Sequence, residues 1–372
     1  MRPIQYTPSR LEQGFSLVEI MVGMVIGLIG IIVMMQVFSI SEERKRTTTS
    51  GADAMSGGAI ALYQLQRELR EAGFGFTSQS LLQLNAGNVP QVTLSTGATL
   101  PLAPAIINSP LVPAGDPNTD TLLLVIGNTN GQPEGHLVQA QSGNVFTVSM
   151  PTSFSVNDFV IAAPGTYSAA LPLRQVTVVT ADSTNNVTLS GAGSASALFN
   201  LGTNPRFIAY AIRNQTLTTC DFRANNCSLN PGEAGITPGE AATRNGFWVP
   251  VAANIASLRA QYVRAVASGT PTYDKTTPTA ACGATGWIAT SALRVALTAR
   301  SSQYETHIDN ATGQRVCDPV SSAAGIAAAA PDWPTTGTAA IDLTSVADWQ
   351  CYRYKVFQTI VPLRNIAWMT SC

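Results

Sequence analysis

Residues 13–40, QGFSLVEIMVGMVIGLIGIIVMMQVFSI, constrain this chain more than any other stretch. About 20 apolar residues cross the hydrocarbon of a bilayer as a helix, so the length suits a membrane span. The apolar run, about 26 residues, is too long for the centre of a secretory signal peptide, and no A-x-A-type cleavage site follows it. Flanking charge leaves the orientation open. Arg2 and Arg10 precede the run; Arg44, Lys45 and Arg46 follow it, offset by Glu42 and Glu43. One acid, Glu19, stands near its start. A carboxylate in that environment costs roughly 2.5–3.5 kcal/mol, so it needs either a partner or a route out to water.

The stretch GFSLVEIMVGMVIG resembles the N-terminal signal of type IV prepilins and type II secretion pseudopilins. The resemblance implies a cytoplasmic leader of residues 1–14, cut between Gly14 and Phe15 by a prepilin peptidase that also methylates Phe15. Glu19 becomes the fifth residue of the mature chain. In a filament it would meet the terminal ammonium of a neighbouring subunit, and a charge-assisted bond would offset the buried carboxylate. Gly23 and Gly27 form a G-x-x-x-G pair, which lets helices approach closely, and Gly30 follows. Many major pilins carry a kinking proline here. This chain has none between Ser9 and Val89, so the expected helix is straighter or bends at glycines.

Beyond the basic cluster, Gly58, Leu62, Leu65, Leu69 and Ala72 recur at helical spacing, with Arg67, Glu68, Arg70 and Glu71 off the stripe. Gly73 and Gly75 end the pattern. The expected organisation is residues 15–40 as the membrane half of one long helix, 41–73 as its amphipathic half and 74–372 as a β-rich globular domain. The helix would hold about 55 residues and run roughly 80 Å. Residues 77–118 read as loop with short strands. Strands are then expected in DTLLLVIG, NVFTVSM, DFVIAAPG, RQVTVVTA and NNVTLSG, with a hairpin in RFIAYAIRNQTLTTC turning at Arg213–Gln215. ANIASLRAQYV, opening with a helical turn, SALRVALTARS and YRYKVFQTIVPLRN complete the set. The fold class is α+β, with sheets packed on the helix.

These late strands resemble the PilW-like minor pilins and the related J-type minor pseudopilins. Those chains show a DtL.v strand, a tY.i..g.L.r hairpin, an nI..l...Y strand, an lrv.L..Rs strand and a last strand ending in lRN. The matching islands are Asp120–Val125, Ala209–Leu217, Asn254–Tyr262, Leu293–Ser301 and Tyr352–Asn365. The resemblance implies a subunit without enzymatic activity or cofactor. It would sit in the inner membrane with its C-terminal domain in the periplasm, then enter a pilus on the cell surface. It would help to initiate assembly near the tip. Its implied partners are other minor pilins, the major pilin, the prepilin peptidase, the inner-membrane assembly machinery and a tip adhesin. A J-type pseudopilin and a surface adhesin or DNA-uptake pilin are the alternatives.

Charged residues are only 12% of the chain, with a net charge of −1, so no broad basic surface for nucleic acid is expected. Six cysteines, Cys220, Cys227, Cys282, Cys317, Cys351 and Cys372, all lie in the C-terminal half and include no CxxC. Disulfides suit an exported chain. Cys220 and Cys227 bracket a short polar loop and are expected to pair. Cys351 with Cys372 would tie down the chain end, leaving Cys282 with Cys317, although a terminal Cys372 could instead stay free or pair with another subunit, leaving Cys351 to join Cys282 or Cys317. His136 and His307 are expected at the surface. No H-E-x-x-H, G-x-S-x-G or P-loop pattern occurs. Asp116, Asn118 and Asp120 alternate as in oxygen-rich calcium loops but lack the later Glu, and turn chemistry before a strand is the preferred reading.

Overall fold

The computed structural model describes residues 16–84, 88–127, 132, 134–229, 247–265, 269–309 and 311–366. It divides into two units, Met1–Ser50 and Gly51–Cys372, and helix α1, Leu17–Glu71, runs through the boundary. Strand outweighs helix, about 34% to 21%, in an α+β arrangement.

In the first unit, Leu17–Phe38 are apolar enough and long enough to cross a membrane, and none of that stretch is buried. The leader, Gly14 and Phe15 lie outside the described residues.

In the second unit, the remainder of α1 buries Ala54, Gly58, Ala61, Leu65 and Leu69, and Ala72 just past its end continues the pattern. Each step is three or four residues, so one stripe faces the sheets. Leu62 is only half-buried, at the edge of that stripe. Gly58 has a specific reason to be glycine. A Cβ there would lie 2.9 Å from that of Ala299 and would strike the Phe357 ring. The helix stops where Gly73 and Gly75 adopt φ of +84° and +88°.

Nineteen strands follow among the described residues: β1 Gln91–Thr93, β2 Thr99–Pro101, β3 Ala105–Ile107, β4 Leu122–Ile126, β5 His136–Ser142, β6 Val145–Val148, β7 Phe159–Ala163, β8 Leu171–Thr180, β9 Asn186–Leu189, β10 Ala197–Gly202, β11 Arg206–Arg213, β12 Thr216–Asp221, β13 Val249–Ala253, β14 Ile255–Arg264, β15 Thr272–Asp274, β16 Thr290–Arg300, β17 Thr306–Ile308, β18 Arg315–Cys317 and β19 Tyr354–Pro362. Two short helices are α2, Gln79–Leu82, and α3, Ala323–Ala328. A five-stranded sheet has the order β13-β12-β11-β4-β3 and a four-stranded sheet the order β15-β14-β16-β19. Strands β4 and β14 are buried along their whole length; β4 is apolar throughout, whereas β14 also buries Ser257, Arg259, Gln261 and Arg264.

The eight-stranded sheet has the order β2-β1-β8-β7-β10-β5-β6-β9, and β9 also pairs with β8. Strands β8, β7, β10, β5, β6 and β9 therefore close into a small antiparallel barrel without free edges. Phe146, Val148, Phe154, Val160, Val176, Val187, Leu189 and Leu198 fill it. The barrel is an excursion between β4 and β11, which pair with each other.

Three expectations are corrected here. No helical turn opens ANIASLRAQYV. Asn254 instead takes φ +59° and turns the chain from β13 in one sheet to β14 in the other. Glu68 is not on the solvent side of α1 but buried. His136 is buried at the start of β5, its ring 4.9 Å from that of Phe154. His307 is half-exposed, with Nδ1 3.9 Å from Asp318.

Candidate functional site

In the membrane-type helix, Glu19 lies in the first turn of α1 and is exposed. A carboxylate at a helix N-terminus is favoured by the free N–H groups and the macrodipole there. Its own N–H donates to the Ser16 carbonyl at 3.0 Å. Positions 19, 23, 27 and 30 fall within an arc of about 80° on a helix of 3.6 residues per turn. Glu19, Gly23, Gly27 and Gly30 thus share one face, and a Cβ added at any of the three glycines would meet nothing within 4 Å. Chemically, this face presents one carboxylate followed by a smooth groove that would let a second helix approach closely.

In the globular unit, Asp120, Tyr210, Tyr262 and Asn365 are polar joints of the fold. The Asp120 carboxylate accepts from the Ala260 N–H at 3.0 Å, Asn108 Nδ2 at 2.9 Å and Lys275 Nζ at 2.7 Å. Arg259 Nη1 lies 3.5 Å away. The Asp120 N–H donates to the Leu258 carbonyl, so this residue, two positions before β4, ties the five-stranded sheet to β14. Burial lowers the Lys275 pKa, and the bond to Asp120 works against that shift. The Tyr262 hydroxyl donates to the Ala105 carbonyl and accepts from the Ile107 N–H, each at 3.1 Å, which satisfies edge strand β3. Its burial raises the phenol pKa to about 12. Tyr210 donates to Glu68 Oε2, and Arg206 donates to Glu68 at 2.9 Å and to Glu71 at 2.7 Å. Desolvation, then the adjacent Glu68 charge, raises the Tyr210 pKa. The cluster clamps α1 to β11.

Asn365 explains the terminal lRN. Its Nδ2 donates to the carbonyls of Ala72 at 2.9 Å and Glu71 at 3.1 Å, with Arg70 at 3.4 Å. Those are orphan acceptors at the C-terminus of α1, so a residue nearly 300 positions away caps the helix. The Asn365 carbonyl accepts from Thr77 Oγ1 at 2.6 Å.

The carboxylates of the proposed calcium loop have protein partners. Asp116 accepts from the N–H groups of Asn214 at 2.9 Å and Gln215 at 2.7 Å, the two loop residues of the β11–β12 hairpin. Asn118 donates to Asp342 at 3.0 Å. No cluster of three or more metal-ligating side chains exists among the described residues.

Cys220–Cys227 is bridged as expected from its loop. The other pairings are corrected. Cys351 bonds to Cys317, with Cα atoms 5.5 Å apart, rather than to Cys372. Around the bridge, the Glu305 N–H donates to the Cys351 carbonyl, the Ser321 N–H to the Gln350 carbonyl and the Asp318 N–H to the Glu305 carbonyl. Cys282 is disulfide-bonded, and Cys372 lies outside the described residues.

Sequence reading missed Glu68, Asp116 and Asn365. Glu68 could have been found, because it continues the three-and-four stripe through positions 54, 58, 61 and 65. The roles of Asp116 and Asn365 depend on contacts about 100 and 290 residues distant, which no local pattern encodes.

Comparison with known families finds the prokaryotic N-terminal methylation motif over residues 9–35. The chain carries a prepilin-type N-terminus. This supports a type IV pilin-like or pseudopilin protein, anchored by its apolar helix and processed by a prepilin peptidase. No curated protein and no solved structure matches the chain.

Proposed function

We propose that this chain is a PilW-like minor pilin, a non-enzymatic subunit that helps to initiate a type IV pilus and resides near its tip. The observation that carries the reading is the methylation motif at residues 9–35, set directly before an exposed apolar helix with Glu19 in its first turn. The family-like joints at Asp120, Tyr210, Tyr262 and Asn365 support the minor-pilin reading, because each performs an identifiable structural task. In this reading the inner-membrane precursor is cut after Gly14 and methylated at Phe15. It then joins other minor pilins in a priming complex, with a tip adhesin, and the major pilin is added below them. Energy for polymerisation comes from partner ATPases. N-terminal sequencing and mass analysis of the mature protein test the proposal. The expected start is methyl-Phe15, with the protein recovered in sheared pili. An uncleaved chain, another start site, or co-purification with a secretion apparatus and not with pili overturns it.

A further inference from the structure

Three arginines are buried among the described residues: Arg259, Arg264 and Arg294. Arg259 faces Asp120, and Arg264 donates to Asp274 at 2.9 Å. Arg294, 5% exposed, has no carboxylate within ion-pair distance among the described residues. Its one hydrogen bond is a long one, 3.5 Å from Nη2 to Gln358 Oε1. None of its other nitrogens is among the fully buried side-chain atoms that lack a partner, so those donors stay within reach of solvent or of a ligand.

The surroundings of Arg294 form a built site. It projects from β16, and its guanidinium lies over the rings of Trp333, at 4.5 Å, and Tyr273, at 4.8 Å. Trp333 is itself fixed, because its Nε1–H donates to the Ala339 carbonyl at 2.8 Å. The rings therefore hold the guanidinium plane in place, while the fork of N–H donors stays largely unused. Arg294 lines a pocket of about 460 Å³ with Tyr273, Asp332, Gln358 and Thr359. That volume lies in the range of small-ligand sites.

The lining defines the ligand's chemistry. A free guanidinium fork matches a carboxylate with two parallel bonds. Asp332 is exposed in the same pocket and can only accept while ionised, so it favours hydroxyl donors and repels a second negative charge. Gln358 adds both a donor and an acceptor, and Tyr273 offers a ring edge. We propose that this pocket binds an acidic sugar residue, a single carboxylate flanked by hydroxyl groups. The Arg294 guanidinium takes the carboxylate; Asp332 and Gln358 take hydroxyls. Polyanions such as nucleic acid do not fit a pocket holding one cation and one anion.

The test is calorimetric titration of the full chain in detergent with D-glucuronate, D-galacturonate and N-acetylneuraminate. D-Glucose, acetate, inorganic phosphate and an acetylated dipeptide with a free C-terminus serve as comparators. Saturable binding of at least one acidic sugar is expected. It should weaken about tenfold when the carboxylate is absent, as in glucose, the loss of one charge-assisted contact. Arg294→Gln should lower affinity by about tenfold or more. Asp332→Asn, at an exposed position that leaves the fold untouched, should lower it by about threefold to tenfold. Circular dichroism confirms that each variant is folded. Binding by none of the three acidic sugars overturns the proposal. So does equal affinity in wild type and Asp332→Asn, or binding of acetate, phosphate or the dipeptide as tight as that of the best acidic sugar.

Discussion

Gln215 occupies the second loop position of the β11–β12 hairpin with φ +56°, next to Asn214 at +49°. A two-residue loop between twisted strands needs both residues left-handed, and a side chain such as glutamine adopts that region at a cost of roughly 1–2 kcal/mol. Here the Asp116 carboxylate offsets the strain by accepting both loop N–H groups. Gln215→Gly should therefore stabilise the fold by about 0.5–1 kcal/mol, the relief of strain less the extra freedom of glycine when unfolded. Asp116→Ala should cost about 1.5–3 kcal/mol, and less in the glycine background. Urea midpoints of the four combinations check both statements. His136 gives a second residue-scale outcome. Burial lowers its pKa below the ordinary 6.5, and its Nε2 has no hydrogen-bond partner among the described residues. A depressed histidine pKa means that the folded state binds fewer protons than the unfolded one below pH 6.5. Stability should be flat above that value, fall as pH drops through it, and level off below the folded pKa. His136→Phe should flatten this part of the curve in thermal melts between pH 5 and 8; an unchanged slope would show that other groups dominate.

Elements in this protein end and turn on single polar residues supplied from elsewhere. The C-terminus of α1 depends on Asn365, just past β19. Asn365→Ala leaves the last carbonyls of α1 without that donor and should cost about 1–2 kcal/mol. Hydrogen exchange should accelerate first in the last turns of α1, near Leu69–Ala72, and not in the barrel. A uniform loss of protection across the domain would count against a local capping role. The same dependence separates what the letters show from what they hide. Leu122–Ile126, Ile255–Arg264 and Thr290–Arg300 are read easily because their burial is nearly continuous. His136–Ser142 escapes because it is mostly exposed and polar along the barrel wall; β1–β3 are the short strands expected within 77–118, but as three-residue strands among prolines and glycines they have no pattern that places them. Glu68 was assigned to solvent because charge usually marks the wet face of a helix, but Tyr210 and Arg206 on or beside β11 make burial tolerable. Barrel closure rests on β9 returning to β8, a pairing that strand periodicity does not specify.

At the scale of the whole molecule, the covalent frame and the membrane-type helix decide how the chain behaves as one subunit. The local bridge Cys220–Cys227 is legible from its spacing; Cys317–Cys351 is legible only as one alternative to Cys351–Cys372, because it depends on the intervening segment folding back on β19. With four of six cysteines in those bridges and Cys282 also oxidised, Cys372 is the remaining cysteine of the chain. Non-reducing peptide mapping is expected to join Cys282 to Cys372; a Cys372 thiol open to alkylation would refute that assignment. The prepilin-type helix carries the final prediction. Glu19, Gly23, Gly27 and Gly30 line one face, and Leu17–Phe38 is exposed throughout. A carboxylate retained in an apolar span costs roughly 2.5–3.5 kcal/mol, so Glu19→Ala should leave membrane insertion at least as favourable as in the wild type. On the proposed assembly, the substitution removes the acceptor for a neighbour's mature N-terminal ammonium. Membrane levels of the variant should therefore match wild type, while its amount in the sheared filament fraction falls at least several-fold. Gly23→Leu should reproduce the assembly loss by filling the groove, again without lowering membrane levels. Equal recovery of wild type and Glu19→Ala in filaments would remove the carboxylate from the assembly mechanism, and a loss from the membrane fraction would reassign Glu19 to insertion.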